Sequence, residues 1–331
     1  MEQSGPVNPE LVYALRRVTE SAALAAFDWI GRGDGMDGGQ AALDAMRTAL
    51  ADVEIDATVV IGSATKGEAP QPECGERLGR PSAAFKADIA VDPVEGTTLT
   101  ALGRGNAISV IAMSERGSMF DPGPCFYMEK VAVGPEAAGV VDLTASATEN
   151  LHAVAKAKGE SVRDVTAVIL DRERHEDLIA EVRAAGARIR LIQDGDVIGA
   201  VSTAWPEAGA DILFGVGGTP EGVIAAAAMK CMGGEIQGRL WPRNDEERQA
   251  ALEAGYDLDR VLMTDDLVAG DNCFFALTGI TDGDVLRGVH YDSRGATTQS
   301  LVMRSKSGTV RQVNARHRLD KLKQYASVEF S

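Results

Sequence analysis

The chain has 331 residues, 45% hydrophobic and 25% charged, the make-up of an ordinary globular protein long enough for two domains. With 33 basic against 49 acidic side chains the formal charge is −16, which argues against a nucleic-acid surface. An anionic substrate would have to be held by metal ions and a few well-placed arginines. Cys74, Cys125, Cys231 and Cys273 show neither a disulfide framework nor a zinc spacing and read as reduced thiols. The N-terminus lacks the basic and apolar regions of a signal peptide, and no apolar run reaches membrane-spanning length. A cytoplasmic location is therefore expected.

Residues 9–29 form the clearest helix: Leu11, Leu15, Val18, Ala22, Ala25 and Trp29 recur at spacings of three and four, one apolar face. Gly31-Arg-Gly-Asp-Gly35 ends it, and a second helix is expected over Gln40–Leu50, after the glycine-rich Asp37-Gly38-Gly39. Strands are expected over Thr58–Ile61, residues 88–91, Ala107–Ala112 and Glu129–Val133. After Asn150 the rhythm becomes strand–helix alternation. Strands at Thr166–Leu170, Arg188–Ile192 and Asp211–Phe214 are separated by helices at His175–Ala185 and Asp196–Thr203, and Glu221–Met232 adds a further helix.

That alternation indicates an α/β fold: an α+β N-terminal half followed by a doubly wound parallel layer with helices on both faces. A division into 1–150 and 151–331 is expected, with the tail packing back on the first half. The tail carries a charged helix (Asn244–Ala254) and strand-like runs at Phe274–Leu277 and Ser300–Met303. Its basic segment, Arg304–Arg318, is either a solvated face or an oligomer contact.

The stretch around which the chain reads as organised is Ile89-Ala-Val-Asp-Pro-Val-Glu-Gly-Thr-Thr98. Pro93 cannot continue a strand ladder and Gly96 permits a sharp reversal. Asp92, Glu95 and Thr97 then present hard oxygen ligands at the mouth of a sheet, suited to Mg²⁺ or Mn²⁺ beside a phosphate. A strand ending in an acidic turn is the plainer alternative. In the second half the notable residues fall after strands, where α/β folds bind ligands: Arg172 and Arg174, Asp194 and Asp196, and the run Gly215 to Glu221. The run Gly215-Val-Gly-Gly-Thr-Pro-Glu-Gly222 departs from a dinucleotide fingerprint, because Pro220 takes the place of the third glycine. It reads better as a glycine turn feeding a helix, with Pro220 at its first position and backbone N–H groups able to hold phosphate. Asp196 is also a candidate helix N-cap. His175 reads as a helix start, and Tyr127 as a packed ring with its hydroxyl at the surface.

Taken as a set, these segments resemble the class II fructose-1,6-bisphosphatases, a branch of the lithium-sensitive, metal-dependent sugar and inositol phosphatases. Val18-Thr-Glu-Ser-Ala22, Trp29-Ile-Gly-Arg-Gly-Asp34, Tyr127-Met-Glu-Lys130, Gln193-Asp-Gly-Asp196 and Arg304-Ser-Lys-Ser-Gly-Thr-Val310 complete the likeness, which has the flavour of the actinobacterial members. The resemblance implies a layered α-β-α-β-α fold and a gluconeogenic hydrolase that cleaves one phosphate ester of fructose 1,6-bisphosphate and is anchored by the other. It implies Asp92, Glu95 and Glu221 as ligands of one Mg²⁺ or Mn²⁺, and Glu95 and Thr97 as catalytic positions. Glu95, Gly96, Thr97, Tyr127, Arg172, Glu173, Arg174, Asp194, Gly195, Asp196 and Gly218 would line the sugar-phosphate pocket. A homo-oligomer, dimer or tetramer, with no nucleic-acid or membrane partner, belongs to the same expectation.

The sequence departs from that pattern in one region. Gly35 stands where the family has Lys, and Gly39 where it has a metal-binding Asp. Ser63, Thr65 and Gly67 replace acidic residues that serve the second metal and the attacking water. Asp37 would substitute for the missing carboxylate only if its loop slipped by two residues. Lost acid–base groups cost rate more than binding, so a non-hydrolytic sugar-phosphate-binding relative is the alternative to a hydrolase.

Overall fold

The computed structural model describes residues 8–62 and 70–318. From the N-terminus the elements are α1 (Leu11–Ala26), α2 (Gly35–Leu50), β1 (Asp56–Ile61), β2 (Arg77–Gly79), β3 (Lys86–Glu95), α3 (Thr97–Ala101) and β4 (Ile108–Glu115). Next come β5 (Tyr127–Val133), α4 (Ala147–Lys158), β6 (Thr166–Leu170), α5 (Glu176–Ala185), β7 (Arg188–Ile192), α6 (Asp196–Thr203), β8 (Ile212–Gly218), α7 (Thr219–Met232) and β9 (Glu235–Trp241). The chain continues with α8 (Asp245–Glu253), β10 (Leu262–Met263), α9 (Thr264–Leu267), β11 (Phe274–Gly279), β12 (His290–Asp292), β13 (Gly295–Arg304) and β14 (Thr309–Arg318).

By contacts the chain divides into two compact units, Met1–Met119 with Gly270–Ser331, and Phe120–Ala269. These boundaries differ from the cut at residue 150 expected from the sequence. The reason is β5, which precedes residue 150 yet pairs with β8 on one side and β9 on the other.

In the first unit the strands run in the order β12-β13-β11-β4-β3-β1-β2, and β14 lies along β13. The apolar stripe of α1 is buried as its spacing requires: Leu15, Val18 and Ala22 join Met46 and Leu50 of α2 over Ile89, Val91, Ile111 and Phe274. Each such side chain contributes roughly 1.5–3 kcal/mol by leaving water. Two elements differ from the sequence reading. α2 begins at Gly35, not Gln40, because Asp34 caps it, its Oδ1 accepting from the N–H groups of Met36 (2.9 Å) and Asp37 (3.1 Å). β3 runs through Pro93 to Glu95, because its register against β4 shifts between Asp92 and Glu95 and the proline sits in that bulge.

In the second unit the order is β10-β9-β5-β8-β6-β7. The strands β7, β6 and β8 are parallel, as strand–helix alternation predicts, whereas β5, β9 and β10 extend the sheet antiparallel. Leu151 and Val154 of α4 and Ile179 and Val182 of α5 cover the face that carries Val131, Val133, Ala167 and Ile169. α6 and α7 cover the other, where Gly199 approaches Val168 and Leu213 and Gly222 approaches Met128. The result is the α/β layering expected. The Ala225–Ala228 run of α7 is fully buried, which suits a helix with little polar surface.

Candidate active site

At the end of β3 the bulge lies between the two acidic residues, with Asp92 paired to Val110 and Glu95 to Ile108 of β4. Asp92 is 9% exposed and its Oδ1 accepts from the Val94 N–H at 3.0 Å; Glu95 is 2% exposed. Gly96, at φ 89°, forms the left-handed cap from which α3 starts, and the Thr97 hydroxyl, at that helix's first position, donates to the Val94 carbonyl at 3.0 Å. The acidic turn is thus a strand end locked by its own side chains, with two buried carboxylates three residues apart. The N-terminus of α2 packs against it. A Cβ at Gly35 would lie 2.5 Å from the Thr97 Cγ2, so the glycine at this position permits the approach.

The helical start of α2 also decides the fate of Asp37. Gly39 is buried and Asp37 exposed, and positions two apart on a helix point about 200° apart. α2 leaves no loop there to slip, so Asp37 does not take the position of Gly39. Ser63, Thr65 and Gly67 lie outside the described residues. Among the described residues no group of three or more His, Cys, Asp and Glu side chains is gathered as a metal site. The donors present in the first unit, Asp92 and Glu95, are nevertheless the hard oxygen type that Mg²⁺ and Mn²⁺ take.

In the second unit the predicted residues gather at one edge of the sheet, where Tyr127 pairs with Gly218. Arg174 donates through Nε (3.1 Å) and Nη2 (2.8 Å) to the Val216 carbonyl, and its guanidinium lies 4.8 Å from the centre of the Tyr127 ring. Burial draws its pKa downward without threatening its charge. Arg172 donates to the carbonyls of Asp171 (2.9 Å) and Gln193 (2.7 Å), linking the ends of β6 and β7. Both side chains are oriented by backbone carbonyls and keep other N–H groups for a ligand. Glu173 is exposed on the short turn between them. The Asp194 Oδ1 accepts from the Gly195 N–H at 3.1 Å, and Gly195, at φ 88°, is the cap residue of α6.

Asp196 is therefore not the N-cap. It is the first residue of α6, 8% exposed, and its carboxylate accepts from Lys130 Nζ. Lys130 is 3% exposed and donates also to the Gly218 carbonyl at 2.9 Å. A Cβ at Gly217 would strike this pair, and one at Gly218 would strike the Glu221 carboxylate, which folds back over the start of α7. Pro220 occupies the second helical position, one later than expected. The glycines thus serve close approach of carboxylates and a lysine to the backbone.

Sequence reasoning missed three contributors. Lys130 stood in a quoted motif, but its burial against Asp196 has no signature in the sequence. Arg243 lies 4.8 Å from the Phe126 ring and 5.9 Å from the Tyr127 ring, brought there by the β9–α8 turn. His175, 2% exposed, bonds to Leu170 and Val216. A cavity of about 270 Å³ lined by Lys158, Trp205 and Asp211 lies at the other edge of the same sheet, where β5 ends and β8 begins, and is separate from these groups.

Comparison with known proteins decides the family. The model of the bacterial, glpX-encoded fructose-1,6-bisphosphatases matches residues 9–317. The chain belongs to the class II fructose-1,6-bisphosphatase family. It is 41% identical over 325 residues to fructose-1,6-bisphosphatase 1 class 2 of Escherichia coli K12, covering 94% of this chain and 96% of that one. The class 2 enzymes of E. coli O6:H1 and Shigella flexneri match to the same extent. Members of this family are phosphoric monoester hydrolases. Among the described residues no helix is long and apolar enough to cross a membrane.

Proposed function

We propose that this protein hydrolyses fructose 1,6-bisphosphate to fructose 6-phosphate and phosphate with Mg²⁺ or Mn²⁺. The observation that carries the proposal is the family match over residues 9–317, which spans both the acidic turn and the arginine cluster. Asp92 and Glu95 would be the metal ligands of the first unit, and the family resemblance implies Glu221 as a ligand as well. A bound divalent ion supplies Lewis-acid polarisation of the phosphoryl oxygens and a water of lowered pKa.

The chain's own residues do the rest. Arg172 and Arg174 pair with the phosphate that is retained, which anchors the sugar. Tyr127 packs beside that anchor under the Arg174 guanidinium, and the Asp194-Gly195-Asp196 turn meets the sugar hydroxyls, together with Glu173 and Gly218. Thr97, its hydroxyl oriented by the Val94 carbonyl, and Glu95 act at the phosphate that leaves, where Gly96 lets the chain turn beside it. The setting is cytoplasmic and the assembly a homo-oligomer, dimer or tetramer.

Phosphate release from fructose 1,6-bisphosphate tests the reading directly. The parent protein is expected to turn over with Mg²⁺ or Mn²⁺, to stop with a chelator and to recover on metal addition. The comparison is a variant carrying Gly39→Asp, Ser63→Glu, Thr65→Glu and Gly67→Asp. If only that variant releases phosphate while the parent merely binds ligand, hydrolysis by this chain is refuted.

A further inference from the structure

The imidazole of His175 occupies the point where the β6–β8 ladder comes apart. Parallel pairing of these strands is last seen at Ile169 with Phe214. Beyond it the ring bridges the gap: Nδ1 lies 2.7 Å from the carbonyl oxygen of Leu170, the last residue of β6, and Nε2 lies 2.8 Å from the N–H of Val216 in β8. A carbonyl only accepts and an amide N–H only donates, so Nδ1 carries the proton and Nε2 offers its lone pair. Both ring nitrogens are satisfied by the neutral Nδ1–H tautomer and by no other form. An imidazolium would set one N–H against another.

The surroundings favour the same state. The side chain is 2% exposed, and burial is the largest of the influences that hold its pKa below the ordinary histidine value. The charged groups that face it are Arg174 and Arg172 on its own turn and Lys130 on β5, all cationic and all opposed to protonation. Gly215 adopts φ +123°, and a Cβ there would lie 2.8 Å from Nε2, so the backbone is shaped to admit the ring.

What the ring holds matters for the phosphate anchor. Val216, whose N–H it accepts, is the residue whose carbonyl receives two donors from Arg174. We propose that His175 is a positioning residue for sugar-phosphate binding: as the neutral Nδ1–H tautomer it fixes Val216, and Val216 fixes the Arg174 guanidinium over Tyr127. The proposal rests on the sugar-phosphate site proposed above. It gives His175 no part in the chemical step, so its loss is felt in affinity.

The test measures binding of fructose 6-phosphate, which carries only the anchoring phosphate, to the full protein and to His175→Phe and His175→Gln. Phenylalanine fills the space without hydrogen bonds, whereas the glutamine carbonyl can accept from the Val216 N–H. Roughly tenfold weaker binding is expected for His175→Phe, with His175→Gln recovering most of it. Where turnover is measured, KM is expected to move and kcat to stay within about threefold. The parent's affinity is expected to fall in acid as the ring is forced to protonate, and that of His175→Gln to fall less. Nitrogen-15 shifts of the His175 ring are expected to report a protonated Nδ1 and a bare Nε2 at neutral pH. A folded His175→Phe protein with parental affinity overturns the proposal, as does a ring protonated at Nε2. A parent that binds fructose 6-phosphate but releases no phosphate refutes hydrolysis alone, and the affinity comparison still decides the role of His175.

Discussion

Lys130 and Asp196 show how much of the site depends on one buried pair. Each is almost wholly withdrawn from water, and among the described residues the Asp196 carboxylate and the Gly218 carbonyl answer the lysine's charge. Burying two charges is costly, and their mutual attraction offsets that cost only while both remain. Lys130→Met should therefore leave the buried Asp196 carboxylate without its lysine partner, with a loss of roughly 3–5 kcal/mol in urea denaturation. Lys130→Met combined with Asp196→Leu should regain much of the loss. If the single substitution costs under about 1 kcal/mol, the pair is not the internal clamp described. At this scale the sequence was legible in types and not in contacts. Arg172, Arg174, Asp194 and Tyr127 stood out by chemistry and position after strands. Nothing in the spacing of Lys130 and Asp196, 66 residues apart, announces that they meet.

Elements were legible where pattern and packing agree. The helix at Asp196–Thr203 and the strands at Thr166–Leu170 and Arg188–Ile192 lie where periodicity placed them. The reading failed where glycine and proline were taken as breakers. Tertiary pairing carries β3 past Pro93 and β8 through its glycines, and the Asp34 cap starts α2 at Gly35. The basic tail shows the same override, since Thr309–Arg318 forms an edge strand along the full length of β13.

That strand also carries a partly buried histidine. Half-buried His317 places Nε2 2.8 Å from the Thr298 hydroxyl, which donates to the buried Glu20 Oε1 at 3.2 Å. Burial lowers the pKa of His317 below its usual 6.5, as it does for His175. Because the folded-state values are depressed, the unfolded chain takes up protons first. The stabilisation is complete above about pH 6.5 and is lost as the pH falls through the folded values. Glu20 runs the other way, its pKa raised by burial from 4.5, and so offsets part of the loss as the pH falls through its raised value toward 4.5. Unfolding free energy is expected to decline below pH 6.5 by up to about 1.4 kcal/mol per pH unit for each histidine. His317→Gln should remove one of the two contributions. An unchanged slope in that variant would show that His317 does not sense pH in the folded protein.

For the molecule as a whole, composition and alternation conveyed the α/β class but misplaced the division of the chain. A reader of sequence assumes that neighbours in the chain are neighbours in space, and β11 and β13 break that assumption. β11 pairs with β4 across more than 150 intervening positions, and α1 packs on both β11 and β13. The unit Phe120–Ala269, by contrast, is one continuous segment with its own sheet and its own apolar core between α4, α5 and the strands. The two should behave differently when expressed apart. Residues 120–269 alone are expected to unfold cooperatively in urea, with native-like amide dispersion, because every strand of their sheet is present. Residues 1–119 alone leave the edge of β4 and the face of α1 without the partners that β11 and β13 supply, and are expected to aggregate or remain unfolded. Adding residues 270–331 in trans, or fusing them to residue 119 through a short linker, should restore a folded species. If 1–119 folds by itself while 120–269 does not, the hydrophobic cores assigned to the two units do not describe what holds this chain together.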